Sequence, residues 1–237
     1  MDVIFYNQQK NIKEKYEPAK ASLRIFAGLF DLFFVSLITF GVNYLINFLF
    51  DKYWTDYLIS VFFIVVAINT FILFSLYFVL IPYLTKGKTL FRLAFKIQLI
   101  ERQEYKKYIG HLFLHNLLIY GLLVGIILLM GISLFAFDKK EQIRITNLFL
   151  VINILNQPIH IIIFISIFRG FYSIYALILF IIFASIIVRS KKIALHDSIA
   201  HLVMIDLKTK VDLIKINEPI TPSKIEINLP GNFEIES

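Results

Sequence analysis

An all-α, polytopic transmembrane helix bundle is the fold class this sequence predicts, and three observations predict it. Of 237 residues, 58% are hydrophobic and 17% charged, whereas a soluble domain sits near half apolar and a quarter charged. The apolar residues gather into long runs parted by short charged stretches, and roughly 20 apolar residues in a helix cross a hydrocarbon core of about 30 Å. Alternation of period two, the mark of a membrane barrel, is absent.

The elements follow in order. Residues 1–21 are polar and lack the short apolar core and cleavage site of a signal peptide, so they are expected to form a cytoplasmic N-terminal tail. Five apolar segments come next: Leu23–Phe50, Tyr57–Leu84, Leu112–Phe137, Ile145–Phe168 and Phe171–Val188. The first three exceed the length a bilayer needs, and lipid leaves their backbone groups no partner outside a helix. The fourth, residues 145–168, holds Asn147, Asn153, Asn156, Gln157 and His160, with Pro158 near its middle. Proline removes a helix donor and bends the chain, so this segment reads as a kinked crossing or a re-entrant hairpin. The transmembrane domain thus covers residues 22–207. Residues 208–237 form a polar C-terminal tail, either a flexible arm or a partner-binding strand.

Basic residues set the orientation. Lys10, Lys13, Lys15 and Lys20 precede the first span. Lys86, Lys88, Arg92, Lys96, Arg102, Lys106 and Lys107 follow the second, and Arg189, Lys191 and Lys192 follow the last. The turn after the first span has only Lys52, flanked by Asp51 and Asp56. Cationic loops belong on the cytoplasmic side. Placing all three basic regions there requires an even number of crossings, so four are preferred, with both termini cytoplasmic in a multi-pass cell-membrane protein.

The first span carries opposite charges inside an apolar run, "ASLRIFAGLFDLFFVSLITF" (residues 21–40). Arg24 and Asp31 are seven residues apart, nearly two helical turns, which puts them on one face about 10 Å apart along the axis. Ala27 lies between them and Gly28 beside it, so another element can approach closely. Arg24 can extend toward the headgroups. Asp31 is deeper, where an unpaired carboxylate costs ~2.5–3.5 kcal/mol, so it should face protein or water and have a partner. Two readings stand side by side: a structural ion pair that locks helix packing, and a carboxylate that handles a proton or cation.

Other motifs carry less. The run "TKGKTLFRLAFKIQL" (residues 85–99) ends like a phosphate-binding loop, but Pro82 stands where that loop needs a glycine, so no nucleotide site is expected. Its alternating apolar and basic residues read as an interfacial element over anionic headgroups. His111 and His115 have a metal-binding spacing without a third ligand nearby in sequence, although His196 or His201 could approach in the fold; no metal and no cofactor are expected. Gly121 and Gly125 permit close helix contact. With no cysteine and no nucleophile-elbow context, an enzyme is not expected. The basic regions suit lipid phosphates, so nucleic acid is not an expected partner.

Three pieces in order resemble the RDD family of bacterial integral membrane proteins, named for one arginine and two aspartates. The first span supplies Arg24, Ala27 and Asp31; the loop after the second supplies Thr85, Gly87 and Lys88; the end supplies Leu195, His196 and Asp197, then a strand-like "HLVMIDL". The chain departs from the family pattern at Arg92, where a glycine is usual, at His115, where an arginine usually precedes the asparagine, and in its extra apolar stretch at 145–168. The resemblance implies that Arg24, Asp31 and Asp197 are the signature residues, that Thr85, Gly87, Lys88 and His196 support them, and that Asp197 and Lys88 fold beneath the first span. It also implies a role in transport, with no particular substrate. The expected function is therefore transport or handling of a proton or cation at this cluster, with Asn153, Asn156, Gln157 and His160 lining part of a path. The alternative is a non-catalytic membrane subunit that organises a larger complex. The lipid bilayer, and protein partners within such a complex, are the expected surroundings.

Overall fold

A computed structural model of the chain describes residues 3–7, 12–53, 59–101, 108–152, 154–188 and 194–215. In chain order its elements are β1 (Val3–Asn7), β2 (Ile12–Pro18), α1 (Ala21–Tyr53), α2 (Ile59–Leu84), α3 (Leu90–Ala94), β3 (Ile97–Glu101), α4 (Tyr108–Ala136), α5 (Lys139–Leu148), α6 (Ile159–Val188), α7 (Leu195–Ile199) and β4 (Leu202–Lys215). Four of the described helices, α1, α2, α4 and α6, are long and apolar enough to cross a membrane. The expected polytopic helix bundle is therefore present.

The segment at 145–168 does not cross as one piece. Its first residues finish α5, a short helix begun by Asp138, which accepts a hydrogen bond from the Glu141 N–H at 2.8 Å while Glu141 reaches back to the Asp138 N–H. The chain then turns, and α6 starts after Pro158, whose carbonyl accepts from Ile161 and Ile162 at 3.0 and 3.1 Å. Proline is tolerated there because the first helical turn needs no donor from it. From Ile159 the helix runs unbroken to Val188, joining the end of the expected fourth segment to the fifth. The sequence suggested a break at Arg169–Gly170 because a charge interrupts the apolar run. Arg169 instead donates to the carbonyls of Leu148, Phe149 and Val151, capping the end of α5 from within α6. Glu141 sits against His160 and the end of α5 against Arg169, so α5 runs alongside α6 in the same direction before the chain doubles back. Of the two readings of this segment, the geometry is that of the hairpin.

One end of the bundle is closed by a four-stranded antiparallel sheet, β1-β2-β4-β3, which the all-helical expectation did not include beyond the strand-like run after His201. Its helix-facing side is built by alternation. Ile97 and Leu99 of β3 and Leu202 and Met204 of β4 pack against Ala19, Ala27, Val79, Leu112 and Ala200. Leu99 lies opposite Met204 in the register. Because residues 12–18 pair with 205–215, the first and last described strands lie at the same end of the bundle, as an even number of crossings requires.

Two glycines are dictated by close approach. A Cβ on Gly87, at φ +90°, would fall 1.8 Å from the Leu99 carbonyl oxygen. On Gly131 it would fall 2.9 Å from the Ile64 side chain. There α4 lies directly against Phe63 and Ile64 of α2. Gly125 has open space around it, so the expected G-x-x-x-G contact is made further along the helix.

At the end away from the sheet, Gln142 is fully buried and fastens three elements. Its amide donates to the carbonyls of Leu134 and Phe137, both at 3.0 Å, and its oxygen accepts from the Ser60 N–H at 3.1 Å. Gln142→Leu keeps the volume and strands three backbone groups. It should destabilise the detergent-solubilised protein by roughly 2 kcal/mol, read as a lowered melting midpoint. Gln142→Glu, which keeps the Ser60 acceptor but turns a buried carboxylate oxygen on the two carbonyls, should lose at least as much.

Candidate functional site

α1 buries one stripe: Arg24, Ala27, Asp31, Val35 and Thr39. The spacing of three or four residues keeps these on one face, and the rest of the helix presents residues such as Phe26, Phe33 and Leu37 outward. Both charged residues of the opening run therefore face protein. They do not pair with each other.

Asp31 is fully buried and is held entirely by uncharged donors. The Tyr77 hydroxyl donates to Oδ1 at 2.5 Å, the Thr89 hydroxyl to Oδ2 at 2.5 Å, and the Phe91 N–H to Oδ1 at 3.3 Å. Local structure delivers each donor. Tyr77 sits in a widened, π-helical turn of α2 at Leu76–Leu80, and such turns often occur at functional positions. Thr89 N-caps α3, accepting from the Arg92 N–H at 3.4 Å while its own hydroxyl proton goes to Asp31. The turn before it is made by Thr85, whose hydroxyl meets the Ile81 and Lys88 carbonyls, and by Gly87, whose oxygen accepts from the Leu99 N–H at 3.0 Å. Thr85 and Gly87 thus place Thr89 rather than touch Asp31.

Asp197, also fully buried, is the hub of a second group. Its Oδ2 is bonded by the Arg24 guanidinium and lies 3.4 Å from the Ala194 N–H. Its Oδ1 is 2.8 Å from His115 Nε2 and 3.5 Å from His196 Nε2. Lys88 does not join it: the Lys88 side chain makes no ion pair among the described residues, and its carbonyl serves the Thr85 turn. The cation that does enter is Arg92, 5% exposed, whose charge is felt by both Asp31 and Asp197. Its Nη1 has no hydrogen-bond partner among the described residues. Sequence reasoning noted Arg92 only as a departure from the family pattern and as one basic residue of an interfacial run. Its spacing from Thr89, within one turn of a short helix docked on α1, was the available signal.

Electrostatics divide the two carboxylates. Burial alone would raise the Asp197 carboxyl, but His196, the His115 hydrogen bond and Arg24 outweigh it and hold the group well below the usual carboxylate range. Burial pushes the His196 imidazole down to about 3, against the opposing pull of Asp197, so the ring is neutral near pH 7. Burial also lowers the Arg92 guanidinium, opposed by Asp31 and Asp197.

His115, His196 and Asp197 offer donor atoms within 4.8 Å of one another, a set that could hold a metal ion. Arg24 already neutralises that carboxylate, so a divalent cation would add charge to a balanced cluster. His111 stands apart, its Nδ1 2.9 Å from the Ala200 carbonyl oxygen. The residues expected to line a path lie elsewhere. Asn153 is outside the described residues. Asn156 and Gln157 occupy the turn before α6, and His160 pairs with Glu141 at 2.9 Å. That turn is at the opposite end of the bundle from Asp31, because α5 packs on the start of α2 whereas Asp31 meets its last turns.

The sequence pattern of the RDD family matches residues 18–148, a stretch that contains Arg24, Asp31 and the Thr85–Thr89 turn. The chain belongs to the RDD family. Its Asp197 lies beyond the matched stretch yet bonds Arg24 near the start of that stretch. Two full-length relatives are similar to it. The uncharacterized protein MG243 homolog of Mycoplasma pneumoniae is 26% identical over 238 residues, covering 100% of this chain and 98% of that one. The uncharacterized protein MG243 of Mycoplasma genitalium is 26% identical over 240 residues, covering 100% and 97%. No solved structure matches this RDD protein.

Two measurements test the cluster. Removing Arg24 leaves Asp197 buried without its cation, which typically costs about 3–5 kcal/mol. Arg24→Met should lower the melting midpoint sharply, and Arg24→Met with Asp197→Leu should recover part of the loss. The second concerns acid. The unfolded chain takes up a proton at His196 near pH 6.5, whereas the folded state resists uptake down to about pH 3. The unfolded state thus binds more protons in that window, and stability falls as pH drops through it. Between pH 7 and pH 5 the loss should be on the order of 2 kcal/mol, and His196→Gln should flatten that part of the profile.

Proposed function

We propose that this RDD protein moves a proton or a small monovalent cation across the cell membrane, with Asp31 as the exchanging group. The observation that supports the reading is the contrast between Asp31 and Asp197, the two fully buried carboxylates among the described residues. Asp197 is bonded to a guanidinium, but Asp31 meets only two hydroxyls and one N–H. Charges at membrane depth are expensive and are kept where they work. A carboxylate whose neighbours are hydroxyls can take a proton, after which the hydroxyl at the protonated oxygen turns to accept while the other goes on donating. It can equally share a cation with them, since carboxylate and hydroxyl oxygens are hard ligands. Arg92 supplies a nearby positive charge that lowers the cost of the ionised form without sealing it in a hydrogen-bonded pair.

The basic loops at the sheet end favour placing that end in the cytoplasm. Asp31 then lies within reach of the cytoplasmic side, and the sheet would face cytosolic proteins. That face also supports the second reading, a subunit of a larger membrane complex, because β1 has a partner on only one side among the described residues.

Proteoliposomes carrying an imposed pH gradient test the first reading. Wild type should dissipate the gradient when the right monovalent cation is present, and Asp31→Asn should slow it at least about tenfold, a loss of about 1.4 kcal/mol or more. Flux through Asp31→Asn equal to wild type would overturn the proposal.

A further inference from the structure

The residues beyond Asp31 on the buried face of α1 continue toward the other end of the bundle. Thr39 is 6% exposed, and its hydroxyl has no partner among the described residues. One turn further, Asn43 accepts a hydrogen bond from Asn69 of α2 at 2.7 Å, and Thr70 beside it is buried. Asp31, Val35, Thr39 and Asn43 recur every four residues, so they form one ladder on the seam between α1 and α2. Asp31 and Thr39 are separated by about 12 Å of helix rise.

What separates them is apolar. Val35 packs with Phe74, Phe78 and Tyr120, all buried. The Phe74 and Tyr120 rings are 5.4 Å apart, and Tyr120 comes from a π-helical turn of α4 at Leu117–Gly121. The Tyr120 hydroxyl lies 3.3 Å from Ser75 Oγ, leaving one polar contact at this level. The seam thus has a carboxylate with hydroxyls on the sheet side, an apolar layer about one turn thick, and uncharged amides and a hydroxyl on the far side.

We infer that this seam is the conduction route of the RDD protein, with Val35, Phe74 and Tyr120 as its gate and Thr39, Asn43 and Asn69 lining a hydrated entrance from the end opposite the sheet. The inference rests on the proposed exchange at Asp31 and gives it a second access. An unsatisfied buried hydroxyl needs a reason, and water in the seam supplies one. The ligands along the route are neutral oxygens and amides, which suit a proton carried on water or a small monovalent cation. An anion would meet no lining cation there. The competing explanation is packing glue, since Asn and Thr pairs also join helices in lipid.

The natural absence of cysteine makes the discriminating experiment direct. Single substitutions Thr39→Cys, Asn43→Cys and Val35→Cys are placed in the full chain, with Leu37→Cys and Phe40→Cys as outward-facing controls at 59% and 70% exposure. The proteins are reconstituted in liposomes and given a charged methanethiosulfonate reagent on both sides. Only a hydrated thiol forms the reactive thiolate, so Thr39→Cys and Asn43→Cys should label at least about tenfold faster than either control. Val35→Cys should remain as slow as the controls. Each protein is also labelled after denaturation to show that its thiol is present, and Asn69→Cys replaces any α1 variant that does not reconstitute. Protection of Thr39→Cys, Asn43→Cys and Asn69→Cys at control rates would overturn the route, and rapid labelling of Val35→Cys would overturn the gate. Neither result depends on flux, so a hydrated seam with an inert Asp31→Asn phenotype would count against the exchange at Asp31 alone.

Discussion

The arrangement depends on ionic contact between the first helix and the last described segment. Arg24 enters the bundle with α1, and Asp197 arrives after α6 has returned to the same end. Neither can be buried alone, because an ionised group without a partner in a low-dielectric interior costs several kcal/mol. Their pairing fixes where α7 sits, and α7 leads directly into β4. That strand carries β2 on one side and β3 on the other. One ion pair thereby sets the position of the sheet, and the sheet braces the loop that presents Thr89 and Arg92 to α1.

The sheet end and the far end solve the same problem differently. At the sheet end, apolar strands cover the helix termini, and charged groups are neutralised in contact or through space. At the far end, Gln142 and Arg169 bond carbonyls and an N–H that loops would otherwise leave unsatisfied. Membrane-depth backbone outside a helix is tolerated only where protein supplies its partners. Arg169 is therefore a structural cation. Its position inside an apolar helix resembles that of Arg24 in sequence, and only the geometry separates their roles.

Much of the cluster was legible because charged residues inside apolar runs must find partners. Arg24 and Asp31 stood out on that ground, and their spacing on one face correctly forbade a direct pair. Asp197 was legible through its L-H-D run, which resembles the family's motif but lies beyond the matched residues 18–148. Arg92 was not, because an amphipathic run at an interface normally points its cations at headgroups, and nothing in such a run marks one that turns inward. His115 likewise stood out only for its spacing from His111 and its departure from the family pattern, and its contact with Asp197 depends on where α7 packs. The sheet escaped because β2, "IKEKYEP", is mostly charged, as a solvated tail is, and its partner lies about 190 residues away. Local sequence carries little information about pairing at that distance. The split of residues 145–168 was half legible: Pro158 announced a break, but the cation that holds the returning chain, Arg169, sat just past the segment's apparent end.

Asp31 and Asp197 are chemically unequal, and the inequality follows from where the two guanidiniums sit. Arg24 touches Asp197, so that carboxylate stays ionised and fixed. Arg92 influences both carboxylates but lies outside hydrogen-bonding reach of Asp31, which is bound by Tyr77, Thr89 and a backbone N–H. Two guanidiniums and two carboxylates share the cluster, so a change at one carboxylate must be balanced locally. A proton or monovalent cation at Asp31 would disturb only a through-space interaction and hydrogen bonds from two hydroxyls, either of which can reverse, and one backbone N–H. The same event at Asp197 would break the contact that holds the first helix to the last. A fold built this way can let one carboxylate change state only because the other does not.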